Sequence, residues 1–182
     1  MIKQDKVKIY TDGAAKGNPG KAGWGAVVLF GKGVFEIGGR VEHATNNQME
    51  LTAPIEALKY MKNSGLYPYP TSPYIRGRSE EGVLEIVSDS KYVILGITEW
   101  IFNWQKNNWR NANRKPVLNR ELWEELYELT QELTCPPKRR ELKWTYVKGH
   151  NENKYNDRAD EIATSFAEGV SVELKLKKDI LI

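Results

Sequence analysis

Apolar and polar residues alternate with period two over residues 6–12 (KVKIYTD). The run is rich in β-branched side chains and predicts a strand. Residues 25–30 and 34–41 predict two more, split by Gly31-Lys32-Gly33, a hairpin signal. These three strands are expected to form an antiparallel meander. Residues 13–25 hold Gly13, Gly17, Asn18, Pro19, Gly20 and Gly23 and read as a turn-rich loop. A helix follows: Thr45 with Gln48 three residues on is a capping-box pattern, and Leu51, Ile55 and Leu58 form a core stripe. Pro54 lies inside it and cannot donate to the carbonyl of Glu50, so a kink or loosened turn is expected there.

Residues 65–82 carry three Pro and three Gly and read as a loop insertion. Residues 83–88 predict the fourth strand, 91–107 and 119–133 two helical stretches, and 142–147 the fifth strand. Residues 156–168 predict a last helix with Ala159, Ile162, Ala163 and Phe166 as its apolar face and Gly169 as C-cap. The order indicates an α/β domain over residues 1–169, a five-stranded mixed sheet flanked by helices. The extension, 170–182, alternates strictly over 170–177 and reads as an extra strand. Lying on the edge of its own domain is the simpler account of that strand, and pairing with another chain the sharper one.

The chain has 182 residues, with 27 Lys+Arg against 24 Asp+Glu, a net charge of +3. That length suits one domain with its own core. The lone cysteine, Cys135, excludes an intrachain disulfide and gives no reason to invoke an oxidising compartment. The longest run free of charge and strong polarity, 24–31, falls far short of the ~18 apolar residues of a membrane span. The first residues, MIKQD, lack the apolar core of a signal peptide. A soluble chain in the cytoplasm is the expectation.

Four acids stand out. Asp12 ends the first strand and Asp89 the fourth, and ligands of open α/β sheets bind outside such strand ends. Glu50 lies in the first turns of its helix, off the Leu51–Ile55–Leu58 stripe. Asp160 lies early in the last helix, on the face it shares with Asp157 and Thr164. Each alone has an ordinary explanation as a turn residue or a complement to a helix dipole. Together, if they meet, they repel unless cations compensate. Two Mg²⁺ ions would balance four carboxylates and form the clamp used for in-line phosphoryl displacement.

The segments YTDGAAKGNPG (10–20), TNNQMEL (45–51), SDS (88–90), the stretch 100–123, VKGH (147–150) and NDRAD (156–160) resemble type 1 ribonuclease H, of the bacterial ribonuclease HI kind. They come in that family's order and cover most of residues 5–168. The resemblance implies the ribonuclease H fold and divalent-metal hydrolysis of the RNA strand of an RNA–DNA hybrid, leaving 5′-phosphate and 3′-hydroxyl ends. It implies that Asp12, Glu50, Asp89 and Asp160 bind metal, Mg²⁺ with Mn²⁺ as the alternative, and that His150 is the histidine of a mobile catalytic loop. It further implies that Asn18, Asn46 and Asn47 touch the minor groove, where a 2′-OH suits an amide that both donates and accepts. Capping alone would also explain Asn46 and Asn47. Lys91 stands where bacterial relatives commonly carry an amide, and His43 has no matching role and reads as a surface residue.

Residues 101–120 hold Lys106, Arg110, Arg114, Lys115 and Arg120 and no acid, a charge of +5, leaving −2 on the rest of the chain. Trp100, Trp104 and Trp123 at helical spacing read as core. Arg110, Arg114 and Lys115 read as an exposed loop that could neutralise phosphates, with Trp109 stacking near a sugar. The segment matches the family's basic protrusion. Alternatives are another enzyme of the same fold acting on DNA (transposase, integrase or resolvase), a non-catalytic nucleic-acid-binding domain, or a module cut from a reverse transcriptase. Met1 and the lack of polymerase-like sequence favour a free-standing chain, expected to act as a monomer.

Overall fold

The computed structural model describes residues 6–64, 83–134, 141–149 and 153–175. The 65–82 insertion, Cys135, His150 and the end of the tail lie outside them. Strands β1 (Lys6–Gly17), β2 (Gly20–Phe30) and β3 (Gly33–Ala44) form the expected antiparallel meander. Helix α1 (Asn46–Asn63) follows, then β4 (Val83–Ser88), α2 (Lys91–Leu95), a π turn (Gly96–Trp100), α3 (Ile101–Lys106), α4 (Arg120–Thr134), β5 (Glu141–Tyr146) and α5 (Lys154–Glu168). The sheet order is β3-β2-β1-β4-β5, with β1, β4 and β5 parallel. It is therefore mixed and five-stranded, as the order of elements predicts.

The 13–25 stretch is not a loop. β1 and β2 pair without a break from Val7↔Phe30 to Gly17↔Gly20, leaving only Asn18 and Pro19 to turn the chain. Its glycines let helices lie on the sheet. A Cβ on Gly13 would stand 2.3 Å from the backbone of Met49 and Glu50, and one on Gly25 would stand 2.5 Å from the carbonyl of Ala159. The glycines thus mark helix–sheet contacts.

Thr45 caps α1 as expected: its side chain accepts from Gln48 N–H, and the Gln48 side chain accepts from Thr45 N–H. The helix runs on through Pro54 as one element. The 91–107 stretch is helical through Lys106 but relaxes into the π turn. There Gly96 lies against the buried indole of Trp123, and a Cβ on it would meet the ring at 2.0 Å. An inserted π turn of this kind widens a helix locally.

Two cores result. The larger packs Ile9, Ile86, Leu51, Ile55, Leu58, Ile101 and Trp123 between the sheet and α1–α4. The smaller packs Tyr10, Val27, Val87, Ala159 and Ile162 between the sheet and α5, with Val172 and Leu174 of the tail against it. Over residues 170–175 the tail forms no strand. It lies on its own domain beside β3, where Glu36 N–H donates to the Lys175 carbonyl at 2.9 Å. Glu36, 1% exposed, anchors that contact. Burial pushes its carboxyl up, but two hydrogen bonds from Arg158 and one from the Lys175 N–H outweigh it and hold the group below its ordinary range. Arg158 also donates to the Glu173 carbonyl at 2.6 Å.

Candidate active site

Parallel pairing of β1 with β4 sets Tyr10 beside Val87. Asp12, in the middle of β1 and not at its end as expected, and Asp89, just past β4, each follow two residues later, so their side chains project from the same face, side by side. The α1 backbone rests on Gly13, which brings Glu50 next to Asp12. The α5 backbone rests on Gly25, the register partner of Asp12, which brings Asp160 in from the other side. All four carboxylates line one cleft of about 440 Å³, together with Lys16, Asn46 and Thr164.

Hydrogen bonds fix the orientation of each acid. The Gly13 N–H donates to Asp12 Oδ1 at 2.7 Å. Asn46 Nδ2 donates to Glu50 Oε1 at 3.0 Å, and Ser90 Oγ donates to Glu50 Oε2 at 2.7 Å. Asn156 Nδ2 donates to Asp89 Oδ2 at 3.1 Å, and Thr164 Oγ1 donates to Asp160 Oδ1 at 3.3 Å. Ser90 does double duty, because its Oγ also accepts from Val93 N–H as the N-cap of α2.

The electrostatics are those of an uncompensated cluster. Burial first, then the charge of Asp89, and then those of Asp160 and Glu50 push the Asp12 carboxyl from 3.8 up to about 8, against the opposing Gly13 N–H. Burial and Asp89 also raise Glu50, against the hydrogen bonds from Ser90 and Asn46. A cation in the cleft would relieve this repulsion. The donors are all hard carboxylate oxygens, which suits Mg²⁺ or Mn²⁺. Among the described residues no three acid, imidazole or thiol groups close into a cage of their own. Such an open set fits an ion that takes one or two carboxylates and completes its shell with water and substrate oxygens.

The other candidates lie around this cleft or apart from it. Asn18 is exposed in the β1–β2 turn, and its Oδ1 accepts from Asn46 N–H at 3.2 Å, tying the turn to the start of α1. Asn47 is exposed beside it, and so is His43. Lys91 sits over the Tyr146 ring at 5.6 Å. In the protrusion, Arg110, Arg114 and Lys115 are exposed, while Trp109 is half-buried against Trp104 and the larger core. Arg120 covers its ring at 5.2 Å.

The residues that hold the acids were less legible than the acids. Ser90 reads as a small residue after a strand and Asn156 as part of a helix start. One signal was available: Asn156, Asp160 and Thr164 recur at i, i+4 and i+8, a polar line along a helix packed on a sheet.

The RNase H family model matches residues 4–168. Ribonuclease H of Cyanothece sp. is 41% identical over 174 residues, spanning 95% of this chain and 96% of that protein. Ribonuclease H of Afipia carboxidovorans is 42% identical over 157 residues, 86% of this chain and 89% of that protein. The crystal structure of LC11-RNase H1 in complex with RNA/DNA hybrid superposes with a TM-score of 0.59 at 23% identity, covering 90% of this chain and 97% of that one, and so shares the fold. No helix among the described residues is long and apolar enough to cross a membrane. Sequence match and fold agree, and the chain belongs to the ribonuclease H family.

Proposed function

We propose that this chain cuts the RNA strand of RNA–DNA hybrids at the cleft of Asp12, Glu50, Asp89 and Asp160, leaving 5′-phosphate and 3′-hydroxyl ends. The observation that carries the site assignment is the convergence of these acids, from two strands and two helices, on one open cleft. In the reaction a water oxygen bonds to phosphorus, the bond to the 3′-oxygen breaks, and that oxygen leaves with a proton. Two divalent ions, Mg²⁺ or Mn²⁺, held by these carboxylates would supply the Lewis acidity that activates the water and stabilises the leaving oxygen.

The chain's own residues do the rest. Gly13 N–H, Ser90, Asn46, Asn156 and Thr164 hold the carboxylate oxygens in fixed directions before substrate arrives. Asn18, Asn46 and Asn47, gathered where the β1–β2 turn meets α1, face the minor groove and its 2′-hydroxyls. Arg114 and Lys115, with Trp109 and Arg110 at the base of their loop, hold phosphates of the DNA strand. His150, ten residues before Asp160, moves the proton or helps release product. The protein acts as a monomer in the cytoplasm, its tail folded on its own β3.

One gel tests the reading. The protein is incubated with hybrid, double-stranded RNA, double-stranded DNA or single-stranded RNA, with Mg²⁺ or EDTA. Cleavage of RNA in the hybrid alone, abolished by EDTA and by Asp12→Asn, is expected. Metal-independent cutting, or equal cutting of single-stranded RNA, would overturn it.

A further inference from the structure

Among the described residues Lys16 is the one cation whose side chain lines the acid cleft. It lies four residues beyond Asp12 on β1, so the period of the strand points Asp12, Ala14 and Lys16 to the same face. That spacing sets Lys16 ~13 Å along the strand from Asp12, too far to serve the same phosphate. Its Nζ meets Glu168 Oε1 at 2.5 Å. Both side chains are open to solvent, at 56% and 39% exposed, and exposed pairs of this kind contribute little. Glu168 is also a poor anchor, since it lies in the last turn of α5, where the helix dipole is already negative. Across the β1–β2 ladder Lys16 faces Lys21, so like charges stand opposite each other.

We propose that Lys16 is a phosphate ligand of the hybrid, and that substrate draws it from Glu168 onto a backbone phosphate flanking the scissile one. The exchange costs little because the pair it breaks is exposed. It also places a positive charge at the rim of a cleft that otherwise repels a polyanion. This assignment rests on the hybrid reading above. The competing role is a clip, in which the Lys16–Glu168 pair fastens the β1–β2 hairpin to α5.

The two roles agree that Lys16→Ala raises KM and predict opposite signs for Glu168→Gln. If Lys16 is a ligand, Lys16→Ala raises KM for hybrid about 3- to 10-fold with kcat within 2-fold, and lowers the log–log salt slope of binding by ~0.7–1. Lys16→Arg keeps near wild-type KM. Glu168→Gln frees the lysine and lowers KM at low salt. If the pair is a clip, Lys16→Ala and Glu168→Gln raise KM together and lower Tm together. That shared direction, or an unchanged KM in Lys16→Ala with wild-type protein cutting hybrid normally, overturns the assignment alone. Wild-type protein that neither binds nor cuts hybrid overturns both the assignment and the reading beneath it.

Discussion

The acid cleft and the basic protrusion carry opposite charges and are built in opposite ways. The cleft takes its four acids from β1, β4, α1 and α5, elements fixed by two cores, and a hydrogen bond from a fixed neighbour orients each. The protrusion is a loop between α3 and α4 that spends part of its charge on itself. Arg110 Nη1 donates to the Arg114 carbonyl at 2.8 Å, inside a turn closed by the Arg110↔Pro116 bridge. Arg120 pairs with Glu124 and lies on Trp109. The +5 of this segment therefore overstates the charge free to meet a polyanion. In the cleft, position gathers and orients every acid the proposed function uses. In the protrusion, only cations without an internal partner can do so.

Asp12→Asn should produce the largest effect and strike the cleft alone. We expect kcat on hybrid to fall at least ~10³-fold, on the scale of losing an electrostatic contact made in the transition state. KM should stay within a few-fold, because the proposed phosphate contacts of the protrusion are untouched. Steady-state kinetics on a labelled hybrid, with EDTA as the zero, would show it. A variant that keeps a tenth of wild-type kcat would break the assignment of Asp12.

The same residue links the cleft to stability. In the folded protein the Asp12 carboxyl is raised from 3.8 to about 8. A raised carboxyl binds its proton more tightly when folded than when unfolded. Below pH ~4 both states hold the proton and the group contributes nothing. As pH climbs from about 4 to about 8, the unfolded chain ionises freely while the folded one resists, so metal-free protein loses stability across that window. Glu50, also raised, adds in the same direction. Discounted for solvent at the open cleft, we expect a loss on the order of 2 kcal/mol, several degrees of Tm. Asp12→Asn should flatten the fall, and Mg²⁺ should oppose it by favouring the ionised form. Calorimetry at pH 5 and pH 8 in EDTA checks the sign. A Tm that rises with pH, or a slope unchanged in Asp12→Asn, would remove the repulsion argument.

Legibility followed the same division. Alternation over 6–12, the Gly31-Lys32-Gly33 hairpin signal and the Thr45–Gln48 box mark elements whose geometry depends on near neighbours in the chain. The 13–25 stretch misled because glycine answers to two demands, a turn or a helix lying close, and only tertiary packing tells them apart. The π turn at Gly96 is likewise imposed by Trp123, 27 residues away in sequence. The tail alternates like a strand, yet over 170–175 Glu36, Arg158 and the apolar contacts of Val172 and Leu174 hold it, with no ladder alongside. Motifs carried the acids, since the resemblance covers them in order. Ser90 and Asn156 stayed hidden because a hydroxyl or amide near a helix start satisfies a cap as readily as it orients a carboxylate.

Arg114→Ala with Lys115→Ala tests the free part of the protrusion. Among the described residues neither side chain has an ion-pair partner. We expect KM to rise ~10-fold at physiological salt with kcat nearly unchanged, and the salt slope to fall by ~1.5–2. An unchanged KM would sink the role of this loop in binding.

Arg120→Ala should have the smallest effect on turnover, and it isolates the comparison best. By charge count it removes as much as Lys115→Ala does. By structure it removes a guanidinium that makes two hydrogen bonds to Glu124 and covers Trp109, whose ring leans on Trp104 and through it on buried Trp123. An exposed i, i+4 pair and a partly exposed cation–π contact are worth about 0.5 kcal/mol each. We therefore expect a loss of ~1 kcal/mol, a few degrees of Tm, with a change in tryptophan fluorescence and KM within 2-fold. A several-fold rise in KM with unchanged Tm would mean that Arg120 leaves Trp109 for phosphate when hybrid binds. The protrusion would then hold its full charge in reserve, as Lys16 does at the cleft.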